Sequence, residues 1–347
     1  MEETPRPPAI RIGIIGAGGI VRQRHLPGLL GTPGVEIAVI CNARRSSAEA
    51  VVADFDLSGT EIAEEWTDLL GRDDLDAIVV AAPPLLHAAA SCAALRTGRH
   101  VFCQARMAMD AAEAAQMWEA SISNPELVAA LCPAPHGLRL GKAVRALLEG
   151  GSLGAPIHLR LNSYHASYLD PAAPAHWRQR AEVSGLNTLT LGIYAEVLQR
   201  WFGRISSVKA SGGIAHRKRG GYDVEIPDFL DVLCDFESGV SGSLSFSGVA
   251  AHAPGDRLEV YCERGALAYD FAEERLFAAG SGEAALREIV PPPDEITEWT
   301  AEADFIRAIR DPQGPRPLPD FAEGLRYMRV TEAVHQALES GDPINVW

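Results

Sequence analysis

The first apolar run of the chain, Ile10–Ile15, carries one charge, at Arg11, and breaks off into closely spaced glycines at Gly16, Gly18 and Gly19. Short apolar runs recur at Val35–Cys41, Asp76–Ala82, His100–Cys103 and Leu127–Cys132 and read as strands. Between them, helical patterns cover Ile20–Leu30, Ser46–Phe55, Pro84–Thr97 and Asp110–Ala120. Pro84 suits a first helical turn and Gly98 a C-cap. Strictly alternating strand and helix imply right-handed crossovers and a doubly wound parallel sheet.

After Pro133 the pattern changes. A helix reads at Gly141–Glu149, followed by period-two alternation at Pro156–Tyr164, Pro227–Phe236, Gly239–Phe246, Arg257–Tyr261 and Leu267–Asp270. Glu237-Ser238-Gly239 and Glu263-Arg264-Gly265 supply turns, and helices intervene at Asn187–Trp201, Ala301–Arg310 and Phe321–Ser340. The expectation is an α/β chain: a doubly wound parallel-sheet domain over residues 1–133, then an α+β domain over 134–347 with an open, mostly antiparallel sheet. Helices on one face of that sheet leave the other free to pair with a second copy, as a homodimer or homotetramer.

Composition narrows the class. The chain has 347 residues, 47% hydrophobic and 22% charged, which is enough for two soluble globular cores. A formal net charge of −15 disfavours nucleic acid and anionic membrane surfaces as partners. The six cysteines show no Cys-x-x-Cys pair and no zinc spacing, so no metal is expected. Met1–Pro8 is acidic and Pro-rich, unlike a signal peptide, and no apolar run reaches membrane-spanning length; a cytoplasmic setting with reduced thiols follows.

The glycines carry chemistry. Gly16 permits a tight turn, Gly18 lets a diphosphate approach bare backbone, and the N-terminus of the helix from Ile20, with Gly19 before it, offers its free N–H groups to the phosphates. The third fingerprint position is Val21, where glycine or alanine is usual. A dinucleotide site, and with it redox chemistry, is therefore expected at the start of the fold. Strand two ends in Asn42-Ala43-Arg44-Arg45-Ser46, with no acid to bind a ribose diol and two arginines suited to a 2′-phosphate. That favours NADP, with NAD the alternative.

Further motifs carry a family resemblance. Gly16-Ala17-Gly18-Gly19 is followed by His25-Leu26-Pro27, Pro83 by His87, and strand five ends in Val101-Phe102-Cys103. Leu191-Gly192-Ile193-Tyr194 with Arg200-Trp201-Phe202-Gly203, then Arg257-Leu258-Glu259-Val260-Tyr261 and Gly324-Leu325-Arg326, complete the set. From Ile10 to about Val346 the chain resembles the Gfo/Idh/MocA family. The resemblance implies a Rossmann domain, a second domain with an open sheet, and a nicotinamide cofactor. It implies oxidation or reduction of a hydroxyl or carbonyl on a small sugar, polyol or related polar ring. Ala82, Pro83, His87 and Gln104 would border the cofactor, with Trp177 and Arg178 in a segment that folds over it in relatives.

Where that family usually has Glu-Lys-Pro after strand five, this chain has Gln104-Ala105-Arg106. Ala105 can neither take nor give a proton. Gln104 can still hydrogen-bond an amide or ribose, and Arg106, always cationic, can hold an anion or polarise a carbonyl. The family's Asp and His on the second-domain helix are here Thr190 and Tyr194. Tyr194 is the expected acid, provided cationic neighbours bring its pKa down. His176 or His165 is the expected replacement base. His165, Asn187 and His136 are expected substrate contacts, and Glu196 is expected to pair with Arg200 one turn on. A cofactor-retaining lyase, epimerase or glycosidase without net redox, and a silent nucleotide-binding protein, are the alternatives.

Overall fold

The structure, a computed structural model, describes residues 9–347. The Met1–Pro8 stretch read above lies outside the described residues. The chain divides into two compact units: one runs to Ala108 and adds Ala112–Pro133 and Thr300–Leu325, the other comprises Met109–Ala111, Ala134–Trp299 and Arg326–Trp347. Residues 300–325 thus depart from the single cut at 133/134. They go with the first unit because Glu302 is buried against His25 and the Leu131 N–H donates to Pro319 O at 2.9 Å.

The first unit is built on six parallel strands: β1 (Ile10–Ile15), β2 (Val35–Cys41), β3 (Glu61–Ala63), β4 (Ala77–Val80), β5 (His100–Cys103) and β6 (Ala129–Leu131). Their order, β3-β2-β1-β4-β5-β6, is that of a doubly wound dinucleotide fold. Every residue of β4 is buried, which explains its unbroken apolar sequence. β1 lies between β2 and β4, with Ile15 beside both Cys41 and Val80, so the glycine turn leaves the sheet where the strand order reverses. Strand β3 escapes sequence reading because its three residues are too few to show a period. The run read as one helix from Ile20 starts as a π-helix, Val21–His25, and becomes α-helical over Leu26–Leu30. Pro27, on the first α turn, has no N–H, and the Leu26 N–H reaches back to Val21 O.

The second unit carries a nine-stranded mixed sheet. Across it the strands run Arg287–Ile289, Arg275–Gly280, Gly265–Asp270, Arg257–Cys262, Pro156–Tyr164, Ser241–Ser247, Phe229–Phe236, Ile205–Gly213 and Ile344–Asn345. Only the pairing of Ser241–Ser247 with Pro156–Tyr164 is parallel. The alternation read over Pro227–Phe236 is real in the strand Phe229–Phe236: Leu230, Val232, Cys234 and Phe236 are buried and the residues between them exposed. Ile205–Gly213 escaped that reading because small polar residues dilute its period. All six cysteines are buried. Among the described residues no helix is long and apolar enough to cross a membrane.

Candidate functional site

In the first unit a cleft of about 350 Å³ opens at the carboxyl ends of β1, β2 and β4. Its floor is Ile15, Gly16, Ala17 and Gly18, with Asn42 and Ala43 on one side and Ala82 and Pro83 on the other. Gly16 has φ +101°, and a Cβ there would stand 2.5 Å from Ala81 O; only glycine fits. Gly18 is the opposite case: a Cβ would meet nothing within 4 Å, so open space lies over bare backbone. Asn42 Oδ1 accepts the Ala17 N–H at 3.2 Å and holds the turn from below. An exposed glycine backbone, open space above it and a helical run that begins at Gly19 fit a pyrophosphate. Gly19 is exposed and Ile20 half-buried at the start of that run. Val21, at the irregular fingerprint position, is fully buried at the head of the π-turn.

The basic residues expected around a ribose phosphate are placed differently. Arg44 is the exposed N-cap of the helix Arg45–Asp54. Arg45 pairs with Glu49 at 3.0 Å and lies 3.9 Å from Glu64. Glu64, Glu65 and Trp66, which sequence reading passed over, line the cleft. They follow β3, the strand the sequence hides, so no signal marked them.

His87 does not face the cleft. Its ring is 1% exposed, with Nε2 2.6 Å from Ala82 O and Nδ1 2.9 Å from Arg106 O. Burial holds its pKa below the ordinary value, against the carbonyls that pull it up. The expected cofactor contact is thus corrected to a clamp between the loops after β4 and β5. The Arg106 side chain is 8% exposed, and the Ala105–Arg106 peptide is cis. Gln104 is half-buried, its Oε1 2.8 Å from His25 Nε2. On the other side of that ring, Glu302 Oε1 lies 2.6 Å from Nδ1.

The second unit gathers a polar cluster at the start of the helix Leu191–Phe202. Tyr194 is fully buried and donates its hydroxyl to Asp256 Oδ2 at 2.5 Å. Its ring packs against His136, 5.4 Å between centroids, and Phe271, 5.1 Å. Burial first, then the Asp256 carboxylate, drives the phenol pKa far above its usual range. The expectation of an acid tuned down by cations is therefore corrected: the neighbour is an anion and the proton is held, not released. Nearby, Ser163 and Thr190 share a hydrogen bond of 2.7 Å. His165 extends the strand Pro156–Tyr164, its N–H donating to Ser247 O at 2.8 Å. Its Nδ1 accepts the Ser167 N–H at 3.3 Å, leaving Nε2 to carry the proton of the neutral ring. Burial lowers its pKa, and Asp256 opposes that shift.

Three other expected residues serve the backbone. His176 Nδ1 caps the short helix Trp177–Gln179 by accepting the Arg178 N–H at 3.2 Å. Burial and Arg178 both lower its pKa, and an Nδ1 already spent as a cap makes it a poor base. Arg178 stacks 4.2 Å over Trp177, so these two brace one another. Asn187, 1% exposed, turns inward to donate to Ser184 O at 2.7 Å, which corrects its reading as a substrate contact. Glu196 does pair with Arg200 but is 8% exposed, and it also accepts the Ala134 N–H at 2.9 Å. Asp256 was missed although it directly precedes the Arg257-Leu258-Glu259-Val260-Tyr261 run, because nothing local in the sequence pairs it with Tyr194.

Comparison with known proteins agrees with this geometry. Residues 10–130 match the oxidoreductase family, NAD-binding Rossmann fold, and residues 142–268 match the GFO/IDH/MocA C-terminal domain. A dTDP-3,4-didehydro-2,6-dideoxy-alpha-D-glucose 3-reductase of Streptomyces violaceoruber is 27% identical over 95% of both chains. The enzyme of the same name from Actinomadura kijaniata is 30% identical, over 56% of each chain. Among solved structures, levoglucosan dehydrogenase in complex with NADH superposes with a TM-score of 0.88 at 19% identity, covering 98% of this chain and 99% of that one. With both family regions matched in order, and the glycine cleft lying inside the first, the chain belongs to the GFO/IDH/MocA family of oxidoreductases.

Proposed function

We propose that this oxidoreductase interconverts a hydroxyl and a carbonyl on a small sugar, polyol or related polar ring, with a nicotinamide nucleotide as redox partner. The observation that carries the reading is the cleft over the turn at Gly16, with open space above the bare backbone of Gly18. The relatives support the substrate class: a didehydro-sugar reductase and, in fold, a levoglucosan dehydrogenase. Both names are of net redox enzymes, which favours this reading over a lyase, epimerase or silent binder. When bound, the nicotinamide supplies or accepts the hydride.

We place NAD ahead of NADP, against the reading of the strand-two arginines alone. Glu64 and Glu65 line the cleft and Arg45 stands between Glu49 and Glu64, so carboxylates offset the two arginines where a 2′-phosphate would lie. We also propose Asp256, rather than Tyr194, as the proton-handling group that a chain with Ala105 requires. Its carboxylate is held by the Tyr194 hydroxyl and works against the lowering of the His165 pKa by burial, and we assign the Nε2–H of that histidine as the donor for a substrate oxygen. A second copy on the open sheet face is the remaining proposal. Arg160 and Arg257 stand there among Asp231 and Glu259, opposite charges that a two-fold axis can match.

The test is binding and turnover. Titration should give a Kd for NADH at least about tenfold below that for NADPH, and Glu64→Gln with Glu65→Gln should narrow the gap. Mixing with sugar and keto-sugar panels should change the absorbance of the reduced nicotinamide. Tight binding of NADPH alone, or product without absorbance change, would overturn the cofactor or the redox assignment respectively.

A further inference from the structure

In the second unit, the hairpin of Lys218–Arg219 and Tyr222–Asp223 carries a buried charge that no step above uses. Arg219 is 1% exposed. Its Nη2 donates to the Tyr168 carbonyl, and its guanidinium carbon lies 6.0 Å from the centre of the Tyr168 ring. Among the described residues it has no ion pair, and its Nε has no partner. A buried cation without a carboxylate is destabilising, and an apolar side chain of similar volume would hold the fold as well or better. What the arginine adds is a grip on one residue: a bond to its carbonyl and a charge against its ring.

Tyr168 is held from other directions too. Its N–H donates to Gly248 O at 2.8 Å, and a Cβ on Gly248 would stand 2.4 Å from the Tyr168 ring, so that glycine leaves room for it. Gly248 donates its own N–H to Asp228 O at 2.8 Å, and the buried Asp228 carboxylate accepts the Ala215 N–H at 2.8 Å, just ahead of the hairpin. The hairpin also leans on Pro174, which a Cβ on Gly220 would meet at 3.2 Å, and on Glu182, which accepts the Tyr222 hydroxyl. Tyr168 passes this hold to His165. The two rings meet edge to face, with 5.6 Å between centroids and 78° between planes. We infer that Arg219 is a positioning residue: through the Tyr168 carbonyl and ring it sets the orientation of the His165 imidazole. The inference rests on the assignment of His165 Nε2–H as the donor to a substrate oxygen.

The experiment uses the intact protein with NADH and the keto-sugar of the panel that it reduces fastest. The variants are Arg219→Met, Arg219→Lys, Gly248→Ala, His165→Ala and the doubles that join Arg219→Met or Gly248→Ala to His165→Ala. Arg219→Met should leave the thermal midpoint level or higher, since it removes an unpaired buried charge. It should lower kcat about ten- to a hundredfold, the effect of misplacing a reacting group by about an ångström, with the Kd for NADH unchanged. Arg219→Lys keeps a donor for the carbonyl and should recover part of that rate. Gly248→Ala pushes the Tyr168 ring from its other side and should match the loss, so it serves if Arg219→Met does not fold. In the His165→Ala background neither change should lower kcat further. Wild-type kcat in Arg219→Met and Gly248→Ala, or an undiminished loss when His165 is absent, would overturn the inference. The nuclear Overhauser contact between the His165 and Tyr168 rings should weaken in Arg219→Met, and an unchanged contact would overturn the inference whatever the turnover. Wild-type kcat in His165→Ala would instead overturn the donor assignment, and the catalytic role of Arg219 with it.

Discussion

Tyr194 shows how far one neighbour decides what a side chain can do. A phenol beside cations releases its proton more easily; beside Asp256, and fully buried, it keeps it. Two substitutions separate the roles. Asp256→Asn should lower kcat by about two to four orders of magnitude, the usual worth of a placed acid or base. Tyr194→Phe should cost less than about tenfold, since a carboxylate without its buttress still takes a proton. Asp256→Asn also removes the anion that props up His165, so the His165 pKa should fall further, as followed by its ring resonances against pH. A Tyr194→Phe enzyme as dead as Asp256→Asn would return the acid role to the tyrosine. Of this cluster the sequence marked Tyr194, His136 and His165, each on a recognisable segment. It could not mark Asp256, which stands 62 residues from Tyr194 along the chain and meets it only through folding.

At the scale of elements, the turn after β1 divides the work between two glycines. Gly16→Ala forces a Cβ to 2.5 Å from Ala81 O at φ +101°, and should destabilise the fold by about 3 kcal/mol. Gly18→Ala meets no neighbour within 4 Å, so the thermal midpoint should hold while the methyl stands in the space over the backbone and NADH affinity falls. Thermal unfolding and nucleotide titration of both variants check this, and a Gly18→Ala protein with wild-type NADH affinity would remove the pyrophosphate from that spot. The turn was legible because glycine spacing after an apolar run is local information. Strand β3 and the acids that follow it were not, since three residues carry no period and their place at the sheet edge comes from pairing with β2.

For the whole molecule, the open face of the nine-stranded sheet sets the expected assembly. Leu233 is 59% exposed there, and Ser241, Ser243 and Ser245 make its centre small and flat. Sedimentation should find the wild-type protein as a dimer or tetramer. Leu233→Asp with Arg160→Glu should give a smaller species with an unchanged circular dichroism spectrum; a wild-type monomer would end the proposal. The division of the chain shows the same limit of local reading. The break after Pro133 follows from a change of period, whereas the return of residues 300–325 to the first unit depends on contacts such as His25 with Glu302, separated by 277 positions.

What the sequence determined by itself was whatever neighbours along the chain can express: strand and helix periods, the alternation of a doubly wound parallel sheet, and a glycine turn fit for a diphosphate. The tertiary structure alone decided which charges meet. It set Arg45 against Glu49 and Glu64, Tyr194 against Asp256, and His25 between Glu302 and Gln104. The protonation and orientation of a polar group depend on what lies within a few ångströms in space, and for these residues, Arg45 and Glu49 excepted, those partners are distant in sequence.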